Sequence, residues 1–212
     1  MPLVDLNQLT FEKTPGYLRN ENTPKRILDF NPNMKFILII RNPITRSISH
    51  FTHMKSNQKI KLTQKNKVKI GKEFENDVLN EDGNIKNNTI DKIIFPGVYV
   101  SSYKQWLQYF PKSQILVLNG ENFLINPFEE LKKVEKFLNL TSYFQKKHFI
   151  FDKNKGFFCI NTDLNTEKVN CMGSGKGREH PIVSSKVIEK LKMYYEPYDT
   201  EFFNLINQKP FW

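Results

Sequence analysis

The chain has 212 residues and carries 32 Lys and Arg against 22 Asp and Glu, a net charge of +10. Its hydrophobic fraction of 39% and its 18 phenylalanines fit one globular α/β domain better than a disordered chain. The first residues have neither the basic start nor the long apolar run of a signal peptide or membrane span. The surplus of cations favours a polyanionic partner: nucleic acid, an anionic membrane or a sulfated polysaccharide.

The predicted elements alternate between strands and helices along the chain. Leu9–Phe11 is strand-like, and Lys35–Ile40 is a short apolar run typical of a buried parallel strand. A second such strand covers Gln114–Leu118. Helices are predicted from Pro43 onward, over Tyr99–Leu107 and after Pro127. This order predicts an α/β fold with a parallel sheet and flanking helices.

Residues 1–212 are interpreted as a single domain with one unusual segment. Residues 57–88 are rich in lysine and asparagine and have few apolar positions. We predict a solvated insertion here, with one helical piece around Phe74 to Leu79.

The two cysteines, Cys159 and Cys171, are close enough to close a short hairpin. Their spacing favours a disulfide over a metal site, because there is no Cys-x-x-Cys pattern and no histidine at ligand spacing. No metal site is predicted. Glycosylation acceptor patterns begin at Asn87 and Asn139. Together these features favour an oxidising, secretory compartment.

Aromatic and basic residues flank the two cysteines. Phe157 and Phe158 are able to stack on a nucleotide base, although core packing is the expected role of at least one of them. Lys176-Gly177-Arg178 either holds a phosphate through backbone amides and cations or forms a solvated basic turn.

Two further positions are candidates for phosphate binding at the carboxyl ends of strands. Arg41 follows the first predicted buried strand, and Ser49 lies two turns into the next helix. A guanidinium and a hydroxyl suit a phosphate; the alternatives are a capping ion pair for Arg41 and a surface role for Ser49. Lys13 follows the strand-like Leu9–Phe11 and would face the same crevice, or else is a surface lysine before a turn.

In this order, the motifs resemble those of the heparan sulfate sulfotransferases. The matching stretches are Glu12-Lys13-Thr14-Pro15-Gly16-Tyr17, Arg41-Asn42-Pro43-Ile44-Thr45-Arg46-Ser47-Ile48-Ser49, Gly97-Val98-Tyr99, Trp106-Leu107, Phe110-Pro111 and Lys176-Gly177-Arg178-Glu179-His180-Pro181. The resemblance covers about Leu9 to Trp212 and looks closest to the glucosaminyl 3-O-sulfotransferase branch.

The resemblance implies a P-loop-NTPase-like sulfotransferase fold and a reaction. A sulfuryl group would pass from 3′-phosphoadenosine 5′-phosphosulfate (PAPS), a co-substrate rather than a permanently bound cofactor, to glucosamine of heparan sulfate, with the 3-OH favoured. The compartment would be the Golgi lumen. The expected partners are thus the donor nucleotide and heparan sulfate or a heparin-like polysaccharide, while nucleic acid has only the charge in its favour.

The resemblance also implies residue roles. Arg41 and Ser49 would hold the 3′-phosphate of the donor, and Phe158 would lie near its adenine. The loop that covers the donor would consist of Gly175, Lys176, Gly177, Arg178 and Glu179. Lys13 is the expected catalytic residue. The acceptor sugar would contact Lys13, Thr14, Pro15, Gly16 and His53.

Some family features have no counterpart in these 212 residues. They are the first strand, the Lys-x-Gly-Thr loop after it and the catalytic glutamate. We therefore expect the sequence to be the C-terminal part of a sulfotransferase domain, with little or no transfer activity as it stands and with any membrane anchor upstream of Met1. Ser102 and His53 replace a histidine and a glutamine that are usual in the family, which puts acceptor specificity in question.

The alternative hypothesis is a non-catalytic heparin-binding or heparan sulfate-binding protein derived from the enzyme. It would keep the basic surface and lose the chemistry. A nucleotide kinase is disfavoured, because no Gly-Lys-Ser or Gly-Lys-Thr phosphate loop occurs in the sequence.

Overall fold

The computed structural model describes residues 8–56, 64–166, 169–171 and 180–212. Helices outnumber strands in this part of the chain. The helices are α1 (Thr23–Phe30), α2 (Pro43–Ser56), α3 (Gln64–Val78), α4 (Asn87–Thr89), α5 (Tyr99–Leu107), α6 (Asn122–Ile125), α7 (Pro127–Leu138) and α8 (Ser185–Ile206). Short 3₁₀ turns span Pro15–Arg19, Phe95–Gly97, Lys112–Gln114 and Lys146–His148, and a π-helical turn spans Ile90–Ile94. The strands are β1 (Phe36–Ile40), β2 (Ile115–Asn119), β3 (Phe149–Asp152) and β4 (Phe157–Ile160).

β1 and β2 pair in parallel, with Phe36 opposite Ile115 and Ile40 opposite Asn119. Parallel neighbours need a crossover connection, which residues 41–114 supply with the helices α2, α3 and α5. β3 and β4 form a separate antiparallel hairpin. The prediction of an α/β fold with a parallel sheet and flanking helices is confirmed.

β1 is well covered on one face only. On that face, the ring of Phe36 lies 4.7 Å from the ring of Trp106 and 4.6 Å from that of Phe110. On the other face, Ile37 and Ile39 are 41% and 56% exposed. The prediction of a buried strand is therefore wrong for this face, because α5 covers the Phe36 side while α7 packs mainly against β2.

The long helix α8 completes the core. It packs against α5 and α2, and its buried side chains are Val187, Leu191, Tyr195, Phe202 and Phe203. Burial of a large apolar side chain stabilises the fold by roughly 1.5–3 kcal/mol. Pro197 lies inside the helix and cannot donate to the carbonyl one turn earlier, yet the helix continues because the buried residues on both sides of it hold it against the core.

The lysine-rich and asparagine-rich segment contributes to the core. Residues 57–63 lie outside the described part of the chain, but α3 follows them and begins about ten residues before the predicted helical piece. Ile70, Phe74 and Val78 are at most 2% exposed, and the Phe74 ring lies 5.4 Å from that of Phe51 on α2. The described residues of this segment therefore do not behave as a wholly solvated insertion.

Gly71 lies at a close approach between α3 and the segment that precedes α8. A Cβ atom at this position would lie 1.8 Å from the carbonyl oxygen of Ile182. Only glycine allows the two backbones to approach so closely.

The N-terminal stretch differs from the prediction. Leu9–Phe11 is irregular rather than a strand, and Leu9 and Phe11 are 64% and 92% exposed. An apolar alternation forms a strand only beside a partner strand, and in the described residues β1 pairs with β2 alone. Within the described residues, no helix combines the length and the apolar character needed to cross a bilayer.

Candidate functional site

The carboxyl ends of β1 and β2 lie side by side, as in other parallel sheets, where ligands bind at this edge. Beyond the two strands, the backbone N–H of Gly120 donates to the carbonyl of Ile40 at 2.7 Å. A Cβ atom on Gly120 would lie 2.6 Å from the same oxygen. The glycine thus allows the turn after β2 to pass close to the turn after β1, which brings Arg41 and Glu121 together.

The Arg41 guanidinium faces the Glu121 carboxylate. Nε and one terminal nitrogen of Arg41 lie 3.4 Å from the two oxygens of Glu121. Glu121 also accepts the backbone N–H of Asn42 at 3.1 Å. Both side chains are about one third exposed, so an ion pair of this length contributes at most about 1 kcal/mol. The carboxylate therefore orients the guanidinium without occupying it fully.

A buried carboxylate fixes the turn that carries Glu121. Glu130 on α7 is fully buried. It accepts the backbone N–H of Asn119 at 3.2 Å and the side-chain amide of Asn122 at 2.7 Å. Lys133 supplies the opposite charge at 2.6 Å. Since a buried carboxylate needs such partners, this network orders the turn on both sides of Glu121.

Tyr99 holds the main chain of Arg41. Its hydroxyl donates to the Arg41 carbonyl at 2.9 Å and accepts the Arg41 N–H at 3.4 Å. Burial raises the pKa of Tyr99 to about 12, although the bond to the Arg41 backbone acts in the opposite direction. The hydroxyl is therefore protonated at neutral pH and remains a donor.

Asn42 caps the helix that begins beside Arg41. Its side-chain oxygen accepts the backbone N–H groups of Ile44 at 2.9 Å and Thr45 at 3.2 Å, which is the usual capping arrangement. Ser49 lies further along α2 and is half-buried. In the described residues, no hydrogen bond joins Ser49 to Arg41, so the predicted phosphate clamp of these two residues stays a prediction.

The hairpin of β3 and β4 packs beside this edge through contacts of β4 with α6. Phe157 is buried, as expected for one of the two phenylalanines, while Phe158 is half-buried with its ring 5.3 Å from that of Phe151. A disulfide joins Cys159 to Cys171, the pairing that their spacing favours. The predicted donor-covering residues Gly175, Lys176, Gly177, Arg178 and Glu179 lie outside the described part of the chain.

His180 lies close to the Arg41–Glu121 pair. Its pKa is lowered by partial burial and, to a smaller extent, by the Arg41 guanidinium, while Glu121 has the opposite effect. The imidazole is therefore neutral at physiological pH and within electrostatic reach of both charges. The sequence motif contains His180, but the sequence interpretation gave it no role.

The predicted acceptor residues lie apart from this pair. Lys13 is exposed in the irregular stretch, so the prediction that it follows a strand is wrong, for the reason given for Leu9–Phe11. Pro15 and Gly16 begin the 3₁₀ turn, and Thr14 hydrogen-bonds to Glu12. His53 is exposed near the end of α2. Within the described residues, no hydrogen bond or ion pair links positions 13–16 to Arg41 or Glu121.

Comparison with known proteins identifies the family. A family model described as "Sulfotransferase domain" matches residues 6–209. The chain belongs to the sulfotransferase domain family. A solved sulfotransferase from Alicyclobacillus acidocaldarius has the same fold, with a TM-score of 0.58 and 18% identity over 92% of this chain and 63% of that one.

Curated relatives of this sulfotransferase domain have higher sequence identity. "Heparan sulfate glucosamine 3-O-sulfotransferase 5" of Homo sapiens is 32% identical over all of this chain and 59% of its own length. "Heparan sulfate glucosamine 3-O-sulfotransferase 3A1" of Homo sapiens is 32% identical over 97% of this chain and 48% of its own length. The chain thus spans about half the length of these relatives.

Sequence reasoning singled out Arg41 but did not find the residues that hold it. Tyr99 and Glu121 contact Arg41 across 58 and 80 residues of sequence. One signal was present for Glu121: it follows Asn119-Gly120 at the end of a predicted strand, where polar side chains face the ligand edge of a parallel sheet.

Proposed function

We propose that this sulfotransferase domain moves a sulfuryl group from PAPS to the 3-OH of a glucosamine unit in heparan sulfate. The names of the curated relatives support the reaction and the acceptor. The net charge of +10 supports a polyanionic sugar chain as the acceptor. The observation that carries the proposal is Arg41, an oriented but weakly paired guanidinium at the ligand edge of a parallel sheet.

The donor nucleotide is assigned to the edge formed by β1, β2 and the disulfide hairpin. Arg41 and Ser49 bind its 3′-phosphate, for which a guanidinium fork is the best side-chain partner. Phe158 lies near the adenine, and Gly175, Lys176, Gly177, Arg178 and Glu179 cover the donor. The long contacts between Arg41 and Glu121 support this assignment of the 3′-phosphate. Because the Arg41 nitrogens lie 3.4 Å from the Glu121 oxygens, a dianionic phosphate competes well with this carboxylate for the guanidinium.

The transfer is an in-line displacement at sulfur. The acceptor hydroxyl oxygen forms a bond to sulfur while the bond from sulfur to the 5′-phosphate oxygen breaks, and adenosine 3′,5′-bisphosphate leaves. The hydroxyl proton passes to a general base, a role that we assign to no residue of this chain. Lys13 stabilises the negative charge that develops on the transferring group, and Thr14, Pro15, Gly16 and His53 contact the acceptor sugar.

The proposed compartment is the Golgi lumen. The disulfide between Cys159 and Cys171 supports an oxidising environment. Asn87 and Asn139, which begin the two glycosylation acceptor patterns, are both exposed.

The donor assignment is tested by binding of the reaction product. Isothermal titration calorimetry compares adenosine 3′,5′-bisphosphate with adenosine 5′-monophosphate, which lacks the 3′-phosphate. We expect Arg41→Ala to weaken binding of the bisphosphate about 10- to 100-fold, since a hydrogen bond to a charged group contributes about 1.5–3 kcal/mol. The matched control is Arg26→Ala, which removes an exposed arginine on α1.

The outcomes separate the two hypotheses for function. Selective binding of the bisphosphate that depends on Arg41 and not on Arg26 supports the enzyme. Equal affinity for both nucleotides, or an Arg41→Ala variant that binds like wild type, overturns the donor site. Heparin binding without any response to the bisphosphate favours the non-catalytic alternative.

A further inference from the structure

Two arginines from different elements converge on the π-helical turn Ile90–Ile94. Arg19, the last residue of the 3₁₀ turn Pro15–Arg19, donates to the carbonyl of Asp91 at 3.3 Å. Arg46 on α2 donates to the carbonyl of Ile93. A π-turn interrupts the regular helical hydrogen-bond pattern, and such turns are frequent at functional sites. Here two carbonyls of the turn, those of Asp91 and Ile93, each accept a hydrogen bond from an arginine.

An imidazole joins this pair of cations. His50 follows Arg46 by one helical turn and therefore lies on the same side of α2. Its pKa is lowered by burial and then by the charges of Arg46, His53 and Arg19, in that order. Two arginines and a second imidazole are thus within electrostatic reach of His50.

The two side chains on α2 also have unused hydrogen-bonding capacity. In the described residues, Arg46 Nε and His50 Nδ1 are the buried side-chain nitrogen or oxygen atoms without a hydrogen-bond partner. Buried polar atoms are normally paired, and an exception calls for an explanation. The two unpaired nitrogens lie one helical turn apart, and no hydrogen-bond partner among the described residues reaches either of them.

In the described part of the chain, neither Arg19 nor Arg46 forms an ion pair with a carboxylate. Arg19 donates to the carbonyl of Asp91, and Arg46 donates to the carbonyl of Ile93 and to Ser47 Oγ. The acidic residues beside Arg19 are Glu21 and Asp91, which line the same cleft as Arg19. The charges that act on His50 are nevertheless all positive, which favours an anion at the His50 end of the cluster.

Arg19 also lines an open cleft of about 670 Å³. Besides the carboxylates of Glu21 and Asp91, the cleft has hydroxyl, amide and aromatic groups from α5 and the residues after it, among them Ser102, Gln105 and Tyr109. These neutral groups suit the uncharged part of a sugar. A ligand that spans the cleft would bring a charged substituent to Arg19.

We propose that Arg19, Arg46 and His50 form an anion subsite for a sulfate group on a sugar polymer, with the polymer running into the cleft beside Arg19. The identity of the polymer rests on the proposed function, but the anion subsite does not. Arg19 is exposed, and Arg46 and His50 are half-buried, so a ligand meets the exposed part of each side chain rather than the buried Arg46 Nε and His50 Nδ1.

The subsite has a measurable linkage to pH. Without a ligand, burial and, to a smaller extent, the neighbouring cations lower the pKa of His50, so its imidazole is neutral at pH 7. A bound sulfate opposes those cations and raises the pKa of His50, so binding takes up a proton. Affinity should therefore rise as the pH falls from 7.5 toward 5.5.

The test uses the whole chain and sucrose octasulfate as the probe. The four histidines of the sequence are assigned in imidazole NMR spectra by single substitutions and titrated with and without the probe. We expect the His50 midpoint to rise by at least half a pH unit. Calorimetry at pH 6 should show about 3- to 10-fold weaker binding for His50→Gln and Arg19→Gln, and no change for the exposed control Arg26→Gln.

The results distinguish this inference from the proposed function. An unchanged His50 midpoint in wild-type protein saturated with the probe overturns the subsite, whether or not the variants fold. Binding of adenosine 3′,5′-bisphosphate is measured in the same samples and should be unaffected by His50→Gln. If wild-type protein binds the octasulfate with the His50 shift but never binds the bisphosphate, the subsite holds and the proposed function fails.

Discussion

Tyr99 and Tyr195 form a matched pair for testing how Arg41 is held. They are 7% and 1% exposed, and burial raises the pKa of each to about 12. Both hydroxyls donate to main-chain carbonyls, Tyr99 to Arg41 at 2.9 Å and Tyr195 to Ile94 at 2.7 Å. Only Tyr99 contacts the residue that we assign to the donor phosphate.

The loss of stability should be similar for Tyr99→Phe and Tyr195→Phe. Each hydroxyl makes a second contact, with the Arg41 N–H at 3.4 Å or with Ser47 Oγ at 3.0 Å, and the phenyl ring keeps its packing. At about 1 kcal/mol per hydrogen bond, each substitution lowers the free energy of unfolding by about 2 kcal/mol. In a domain of this size, Tm then falls by about 4–8 °C.

The effect on binding should differ between the two variants. Without its hydroxyl anchor, the main chain of Arg41 loses its fixed position, and Tyr99→Phe should bind adenosine 3′,5′-bisphosphate about 5-fold more weakly, a loss of about 1 kcal/mol. Tyr195→Phe should bind it like wild type. Thermal unfolding and calorimetry on the same samples check both quantities. Wild-type affinity in Tyr99→Phe, or an equal loss in both variants, would refute the reasoning.

Three further predictions concern stability. Gly71→Ala should destabilise the fold by about 1–3 kcal/mol, since its Cβ would lie 1.8 Å from the Ile182 carbonyl oxygen. The control is Gly16→Ala, whose Cβ would have no atom within 4 Å. Similar urea midpoints for the two variants would contradict the predicted clash. Burial raises the pKa of Asp199 from 3.8 to about 6. The buried charge therefore lowers the free energy of unfolding above pH 6, and this loss disappears as the pH falls toward 4 and the carboxylate is protonated. Asp199→Asn should remove that part of the pH dependence, and an unchanged slope of unfolding free energy against pH would count against it. Cys159→Ser should cost about 3 kcal/mol by opening the disulfide loop, as measured by urea unfolding without reductant; an unchanged midpoint would be evidence against a role in stability.

Local pattern was sufficient for the elements near the centre of the sheet. β1, β2, α2, α5 and α7 each have a short apolar run or a helical apolar spacing with a clear start, such as Pro43 or Pro127. These signals lie within about ten residues of sequence and need no knowledge of the fold. They were therefore readable in advance.

The sequence predictions failed where contacts with distant residues determine the local structure. Leu9–Phe11 has the alternation of a strand but no strand beside it in the described residues, and Ile37 and Ile39 lie on the less covered face of β1. α8 was not predicted, and it continues through Pro197 because its buried side chains pack against α5 and α2. In each case, the deciding contact is with a residue far away in sequence.

In the candidate site, too, local sequence signals predict a residue's position but not its orientation. Arg41 was predictable because its position after an apolar strand is a local feature, whereas its orientation depends on Tyr99 and Glu121, which come from α5 and from the turn after β2. Three elements thus determine the position of one guanidinium, while Lys13 lies in an exposed and irregular stretch. Since a preorganised group loses less freedom when it binds a ligand than a mobile one, the donor phosphate should contribute more to affinity than any contact with Lys13. If Lys13 acts in the reaction, its ordering must come from the bound acceptor, and Lys13→Ala should then reduce transfer far more than it reduces binding of the bisphosphate.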